Sequence, residues 1–374
     1  MNKILVKTIE EKKIIWFKNS NSYLVFEPLV AEILFKIDTN IHLTDIEKWC
    51  SKIIDAPKEI ISEFIKNVFE IYQKNNFIVH NKETEDIDFN IPNTFISEKY
   101  YSINNFIFKI QFENEFHFLK IHPTFEHLEI KNQTEFDFKY TIFDINETIH
   151  FLKNTILIGK WKQNEAHVFE GKLSMHLLID IYTKPESHWM GVFHASAISN
   201  GNESMLFLGD SGNGKSTSLA LLSANGFDCI ADDFVPIDNQ KNMYTYPAAI
   251  SIKKKSISTL LPYYPELKNA TEHHLKQLNK VVRYLPPKQI NYNLKLKCKA
   301  LIFIKYNPII ELELNPISKI DAFKQLIPDS WISPIFKNAE VFLEWFLELP
   351  CYQLTYSNNS KMIATVSKIF KDEL

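Results

Sequence analysis

Hydrophobic residues in the first 80 positions form two kinds of pattern. Three short continuous apolar runs, rich in β-branched and aromatic residues, are typical of strands. These runs are Ile4–Val6, Ile14–Phe17 and Tyr23–Phe26. Apolar residues then recur every three or four positions, which predicts helices from Pro28, from Thr44 with Glu47 in a capping box, and after Pro57. With a last strand expected at Phe77–Val79, residues 1–80 are predicted to form a separate domain with a winged-helix-like arrangement.

The pattern changes after this domain. Residues 81–97 are polar and acidic and are expected to be a linker. Residues 98–185 contain runs in which apolar and polar positions alternate at period two, with many aromatic residues. Examples are Phe106–Phe112, Phe116–Ile121 and Phe136–Phe143. We predict an antiparallel sheet with one face toward solvent. Helical spacing at Leu173–Tyr182 leads into the last part of the chain.

Residues 186–374 mix continuous apolar runs with helical spacing, which predicts an α/β fold class for the core. Buried strands are expected at Met205–Leu208, Ala300–Tyr306 and Cys351–Tyr356. Helices are expected at 318–327, 337–349 and 358–372. Between them, 246–292 reads as irregular with one helical piece around Glu272–Leu278.

A glycine-rich motif separates one of these strands from a helix. It follows the pattern G-x-x-x-x-G-K-S and consists of Gly209, Asp210, Ser211, Gly212, Asn213, Gly214, Lys215 and Ser216, with Thr217 next. Glycines let backbone N–H groups approach phosphate oxygens, and the helix start adds a positive dipole end. Lys215 is expected to reach the β- and γ-phosphates of the bound nucleotide, and Ser216 to hold Mg²⁺. ATP is the expected nucleotide, although the motif does not specify the base.

Composition limits the partners. The chain is 45% hydrophobic and 23% charged with a net charge of −3, so no general attraction to nucleic acid or to a membrane is expected. The four cysteines are far apart and are expected to be buried free thiols in a reducing compartment. With no apolar segment of membrane-spanning length, a cytoplasmic location is expected.

Two further sites are expected near the glycine-rich motif. Asn200-Gly201 is a two-residue hairpin signal, and pairing of Ser199 with Asn202 would place His194 opposite Phe207, near the loop entrance. Asp232 and Asp233 end the strand that returns after the motif's helix. One carboxylate could bind Mg²⁺ while the other accepts a proton, and a capping role for one of them stays open.

Arg283 is the only arginine, against 41 lysines. Arginine and lysine differ most where a planar fork binds phosphate or carboxylate. Arg283 is therefore a candidate contact to phosphate, with a surface role as the alternative.

These residues together resemble the HPr kinase/phosphorylase superfamily, whose core is related to that of phosphoenolpyruvate carboxykinase. The resemblance rests on His194-Ala-Ser-Ala, on the glycine-rich motif, and on Gly226-Phe-Asp-Cys-Ile-Ala-Asp232-Asp233. It implies serine phosphorylation, with Lys215 on phosphate, Ser216 on Mg²⁺, Asp232 and Asp233 in metal and base roles, and His194 in support. The Glu-Ile-Arg-Gly signature of true HPr kinases is missing, which places HPr as substrate and the phosphorylase reaction in doubt.

The pattern from Tyr23 to Phe35, then Ile46 and the long apolar helix, resembles PqqD-like domains that recognise leader peptides. Residues 1–80 carry 11 lysines and 11 acidic residues, a neutral balance that disfavours a DNA-binding winged helix. A generic helical cap on the core is the alternative.

The sequence thus predicts a kinase, dependent on ATP and Mg²⁺, that phosphorylates a Ser or Thr of a ribosomally made precursor peptide. The domain at 1–80 would bind the leader, 81–97 would be a linker, 98–185 a β-rich part, and 186–374 the catalytic core. A kinase of a folded protein and a nucleotide-gated binding module remain alternatives. The resemblance permits a homo-oligomer, because HPr kinases form hexamers.

Overall fold

The computed structural model describes residues 3–77, 90–131, 133–275 and 280–373. These residues form a mixed α/β fold, as the alternation of strand and helix patterns predicts. No helix in this part of the chain has both the length and the apolar character needed to cross a bilayer.

The N-terminal region contains an antiparallel sheet of order β1-β2-β3 and three helices, as predicted. Its elements are β1 (Ile4–Ile9), β2 (Lys12–Phe17), β3 (Ser22–Phe26), α1 (Pro28–Asp38), α2 (Leu43–Cys50) and α3 (Lys58–Asn76). The predicted capping box is wrong, because α2 begins at Leu43 and no side chain caps it. The strand expected at Phe77–Val79 lies outside the described residues after Phe77.

The N-terminal sheet is buried on both faces. Successive strand residues point to opposite sides, and Ile15 and Phe17 pack with the three helices while Ile14 and Trp16 pack with the rest of the protein. Tyr23 shares the second face. This region is therefore joined to the remainder of the chain by a common hydrophobic core.

The middle region is a six-stranded sheet of order β6-β4-β5-β7-β8-β9, covered by helices. Its elements are β4 (Ser97–Ile103), β5 (Phe106–Phe112), α4 (Glu115–Phe125), β6 (Glu129–Ile130), β7 (Phe138–Ile145), β8 (Thr148–Lys153), β9 (Ile156–Lys162) and α5 (Ala166–Tyr182). The sheet is mixed, since β5 and β7 are parallel. Parallel neighbours require a crossover, and α4 provides it at Phe116–Ile121, where a strand was predicted.

The last region contains a ten-stranded sheet. Along its main path the order is β13-β11-β12-β19-β15-β14-β10-β21, and β22 and β20 continue from β19. The first half of this region contains β10 (Trp189–Phe193), β11 (Ser196–Ser199), β12 (Ser204–Leu208), α6 (Lys215–Ala224), β13 (Asp228–Asp232), β14 (Val235–Asp238), β15 (Asn242–Tyr244), β16 (Ile250–Lys253) and α7 (Ile257–Leu260). They are followed by β17 (His273–Leu275), β18 (Lys280–Leu285), β19 (Lys295–Tyr306), β20 (Leu312–Pro316), α8 (Lys319–Leu326), β21 (Ser330–Ile332), α9 (Phe336–Glu348), β22 (Cys351–Tyr356) and α10 (Asn359–Phe370).

The three predicted C-terminal helices are confirmed as α8, α9 and α10. The region expected to be irregular instead contributes a small sheet of order β16-β18-β17. The helical piece expected around Glu272–Leu278 is wrong, because His273–Leu275 is a strand paired with β18. The four cysteines are free and buried, as predicted.

Alternation along β12 places its two faces against different layers. Met205 and Phe207 pack with α6 and α10, whereas Leu206 and Leu208 pack on the opposite side of the sheet. β12 is parallel to β19, which is in turn parallel to β22. The glycine-rich loop therefore starts at the C-terminal edge of three parallel strands, which is the usual ligand-binding edge of α/β sheets.

Candidate active site

The glycine-rich loop connects β12 to α6, as its sequence predicts. Gly209, Gly212 and Gly214 all have φ between +100° and +137°, a region that glycine adopts without penalty. A side chain at Gly209 would also place its Cβ 2.7 Å from the carbonyl oxygen of Ile304. The loop therefore needs glycine at this position both for its backbone torsion and for its close approach to β19.

Lys215 begins α6 and is almost fully buried, with its Nζ donating to the Gly209 carbonyl oxygen at 2.6 Å. The ammonium group thus folds back over the loop. Gly214 precedes it as the N-cap, and no side chain caps the helix. The first N–H groups of α6 are left for an acceptor at this end, and a phosphate group is such an acceptor.

Asp232 is the last residue of β13 and is 2% exposed. Its Oδ1 accepts a hydrogen bond from Ser196 Oγ at 2.5 Å, and its Oδ2 accepts one from the Ser251 amide at 3.2 Å. Burial and, second to it, the charge of Asp233 raise the pKa of Asp232 to about 7, although hydrogen bonds from Ser196, Ser216 and the Ser251 amide oppose the rise. The carboxylate is therefore held beside the Ser216 hydroxyl in a setting that a cation would stabilise.

Asp233 follows the strand in a left-handed conformation, with φ of +61°. Its side chain is 48% exposed, and its Oδ1 lies 3.6 Å from Nε2 of His194, whose side chain is 46% exposed. His194 lies between β10 and β11, and its amide donates to the Asp329 carbonyl oxygen. An accessible carboxylate and an accessible imidazole thus meet above the buried Asp232, the arrangement that proton transfer needs.

One cavity of about 200 Å³ brings most of the predicted residues together. It is lined by His194, Asp210, Ser211, Gly212, Gly214, Lys215, Ser216, Thr217, Asp233, Ser251, Lys253, Lys255, Ser256 and Val282. A neighbouring cavity of about 220 Å³ shares His194 and Asp210 with it and extends to Ser330. Gly209 lines this second cavity, and Asn213 lines a third beside the loop.

The predicted register of the hairpin is wrong, and His194 is not opposite Phe207, although it does line the same cavity as the glycine-rich loop. Ser199 pairs with Ser204, because the turn contains four residues in which the Asn200 amide donates to the Glu203 carbonyl oxygen. Ser196 is consequently the residue opposite Phe207. β11 also lies between β12 and β13, so the acidic pair reaches the loop from the second strand away.

The structure does not bring Arg283 to the glycine-rich loop. Its guanidinium donates to the carbonyl oxygens of Leu267 and Lys268 and pairs with Glu272 at 3.0 Å. Its neighbour Val282 is the residue that lines the cavity. Since successive strand residues face opposite sides, Arg283 fixes the segment before β17 instead.

The sequence did not identify the residues from other parts of the fold that lie around the acidic pair. Ser196 lies inside the His194-Ala-Ser-Ala motif but had no role of its own there, and Ser251 lies in the region expected to be irregular. The lysines at 253 and 255 lie in a run of three lysines that follows two isoleucines at alternate positions. That alternation was the available signal for a strand with polar residues on one face.

These residues fit an Mg²⁺ ion that is shared between the protein and the phosphates of a nucleotide. Among the described residues, no group of three or more His, Cys, Asp or Glu side chains has the geometry of a complete metal site. Mg²⁺ in nucleotide sites commonly takes one or two protein ligands and completes its shell with phosphate and water. A buried carboxylate beside the Ser216 hydroxyl, with Asp233 nearby, provides such a partial set.

The chain matches no family model, and no curated protein is similar enough to count as a match.

Proposed function

We propose that this protein is a kinase, dependent on ATP and Mg²⁺, that phosphorylates a Ser or Thr hydroxyl of a ribosomally made precursor peptide in the cytoplasm. The observation that carries the proposal is the cavity that joins the glycine-rich loop to an accessible His194–Asp233 pair, with the buried carboxylate of Asp232 bonded to two of the lining residues, Ser216 and Ser251. The accessible pair supports transfer to a hydroxyl.

The two aspartates have different roles in this proposal. Asp232 is buried and bonded to Ser216 and Ser251, which line the cavity, and it would hold Mg²⁺ together with Ser216. When bound, Mg²⁺ supplies neutralisation of charge on the β- and γ-phosphates. Asp233 faces the cavity and would accept the proton of the acceptor hydroxyl, with His194 orienting its carboxylate.

The proposed reaction is a direct transfer. The acceptor oxygen forms a bond to the γ-phosphorus while the bond from that phosphorus to the β–γ bridging oxygen breaks. ADP leaves with the electron pair of that bond, and the hydroxyl proton passes to Asp233. Lys215 and the amides of the glycine-rich loop hold the phosphates in place.

A chain-like acceptor is supported by the cavities beside His194. The second cavity shares His194 and Asp210 with the nucleotide cavity and reaches Ser330. Ser330 also lines a cavity that begins at Asn21, Ser22 and Tyr23, next to β3. Three cavities that share lining residues therefore lie in sequence between the N-terminal sheet and the glycine-rich loop, an arrangement that suits an extended peptide.

Leader binding is supported by the edge position of β3. β3 is last in the order β1-β2-β3, and α3 lies beside it through the bond from Ser22 Oγ to Asn75 Oδ1. An extended segment can add to such an edge by main-chain hydrogen bonds. The balanced charge of residues 1–80 agrees with a peptide partner better than with a nucleic acid.

The test combines the protein with ATP, Mg²⁺ and the precursor peptide encoded beside its gene, and mass spectrometry reads the gain of one phosphate. Lys215→Ala should abolish transfer. Asp233→Asn should abolish transfer but keep binding of MgATP, whereas Asp232→Asn should lose the Mg²⁺-dependent part of that binding. No phosphate gain on any adjacent peptide would sink the proposal, and nucleotide binding without transfer would favour a nucleotide-gated binding module.

The role of the leader is tested by shortening the peptide and not the protein. Deletion of residues 1–80 from the protein would expose the core that Trp16 and Tyr23 cover. A peptide without its leader should be phosphorylated more slowly than the full precursor at low concentration. Equal rates for the two peptides would remove the leader-binding role and leave the kinase proposal intact.

A further inference from the structure

The segment Ser251–Ser256 forms a wall of the nucleotide cavity opposite the glycine-rich loop. Three contacts attach it to the site. The Ser251 amide donates to Asp232, Lys253 Nζ donates to Ser211 Oγ at 2.8 Å, and Thr217 Oγ1 donates to Ser256 Oγ at 2.8 Å. The segment is thus tied to the acidic strand, to the loop and to α6, so its side chains are fixed relative to all three.

Strand alternation decides which side chains of β16 face the cavity. Ile250 and Ile252 are each 1% exposed and pack with the hydrophobic residues of α6. Ser251 and Lys253 point the other way and line the cavity, and Lys255, in the 3₁₀ turn that follows the strand, lines it as well. The intervening Lys254 is exposed and is not one of the lining residues.

The lysines at 253 and 255 lie against the middle of the loop. Lys253 contacts Ser211, and Lys255 Nζ lies 3.5 Å from the position that a Cβ on Gly212 would take. Together with Lys215 they place three cationic side chains around a cavity that also contains two carboxylates, those of Asp210 and Asp233. A nucleotide triphosphate with its Mg²⁺ remains anionic, and cations placed at its phosphates stabilise it.

Phosphoryl transfer needs a positive charge beside the transferred group to stabilise its negative charge, and an arginine often supplies it. The single arginine of this chain is held by Leu267, Lys268 and Glu272. We propose that Lys253 and Lys255 bind the terminal phosphoryl group of the nucleotide, opposite Lys215. This inference rests on the proposed function for the identity of the ligand, but not for the identity of the acceptor.

Calorimetric titration of the intact protein with MgATP and with MgADP tests the inference at fixed ionic strength. Lys253→Ala and Lys255→Ala should each weaken MgATP binding about tenfold, because each removes one charge-assisted contact to phosphate. Both should weaken MgADP binding much less, since ADP lacks the terminal group. Lys254→Ala is the matched control and should bind both nucleotides as the wild type does.

Charge-preserving variants separate electrostatics from disturbance of the loop. Lys253→Arg and Lys255→Arg should recover most of the MgATP affinity that the alanine variants lose. The inference is overturned if both alanine variants bind MgATP like the Lys254→Ala control, or if they lose affinity for MgATP and MgADP equally. It also falls, together with the proposed function, if the wild type binds no nucleotide, whereas binding that is insensitive to these lysines leaves the proposed function standing.

Discussion

The stability of this protein should depend on pH through the buried carboxyl group of Asp232. Burial and the neighbouring Asp233 raise the pKa of Asp232 to about 7, from an ordinary value of 3.8. Between these two values the folded protein holds a proton that the unfolded chain has released. The free energy of unfolding therefore falls as pH rises from about 4 to about 7, and this contribution is lost entirely above that window.

The size of the effect follows from the two pKa values. Each pH unit between them corresponds to about 1.36 kcal/mol, so a difference of about three units amounts to at most about 4 kcal/mol. Other carboxyl groups act in the opposite direction. The pKa of Asp144, for example, is lowered by its hydrogen bond and ion pair with His117 against the effect of burial. A comparison with a variant at Asp232 is needed to isolate the contribution of this one group.

Urea unfolding of the wild type and of Asp232→Asn between pH 4.5 and 8 provides that comparison. The variant has no titrating group at this position, so the wild-type free energy of unfolding minus that of the variant should decrease steadily with pH. Asp233→Asn should shift this decrease to lower pH, because the Asp233 charge raises the pKa of Asp232. A difference that is constant from pH 5 to 8 would refute the reasoning.

Three substitutions test the other contacts of the site. Ser196→Ala removes the buried hydrogen bond to Asp232, so it should lower the free energy of unfolding by about 1–3 kcal/mol and move the pH dependence to higher pH; an unchanged pH midpoint would contradict this. Gly209→Ala should destabilise more than Gly201→Ala in urea unfolding, by about 2 kcal/mol, because both have positive φ but only the Cβ at Gly209 meets a backbone oxygen within 3 Å; equal losses would count against the clash. Asp233→Gly should be more stable than Asp233→Ala by about 1 kcal/mol, because only glycine relieves the left-handed backbone at φ +61°; equal stabilities would mean that the turn carries no strain.

The sequence was sufficient where local pattern and local chemistry agree. The glycine-rich loop has its strand before it and its helix after it, and the C-terminal helices α8, α9 and α10 lie within two residues of their predicted bounds. In the helices the period of the apolar positions is set by a single packed face, and in β12 the continuous apolar run is that of a strand buried on both sides. The strand that ends at Asp232 is another such case, because its apolar run is short and buried.

Tertiary context decided the segments that were predicted wrongly. The run at Phe116–Ile121 alternates like a strand but forms α4, because the parallel pairing of β5 with β7 requires a crossover between them. The helical spacing around Glu272 gave way to pairing of β17 with β18. The pairing of β5 with β7 joins residues far apart in the chain, and β17 pairs with the strand that follows it, so neither partner belongs to the segment whose own pattern was used.

The site shows why a motif alone could not assign the two aspartates. Adjacent residues of a strand point to opposite faces, so a regular β13 would direct only one of them toward the glycine-rich loop. The strand instead ends at Asp232, and the left-handed backbone at Asp233 turns the chain at that residue. Asp232 stays buried with Ser196 and Ser216, while Asp233 opens to the cavity beside His194. One backbone torsion thus separates the carboxylate suited to a metal from the one suited to a proton, and aspartate is among the few residues that adopt this torsion at small cost.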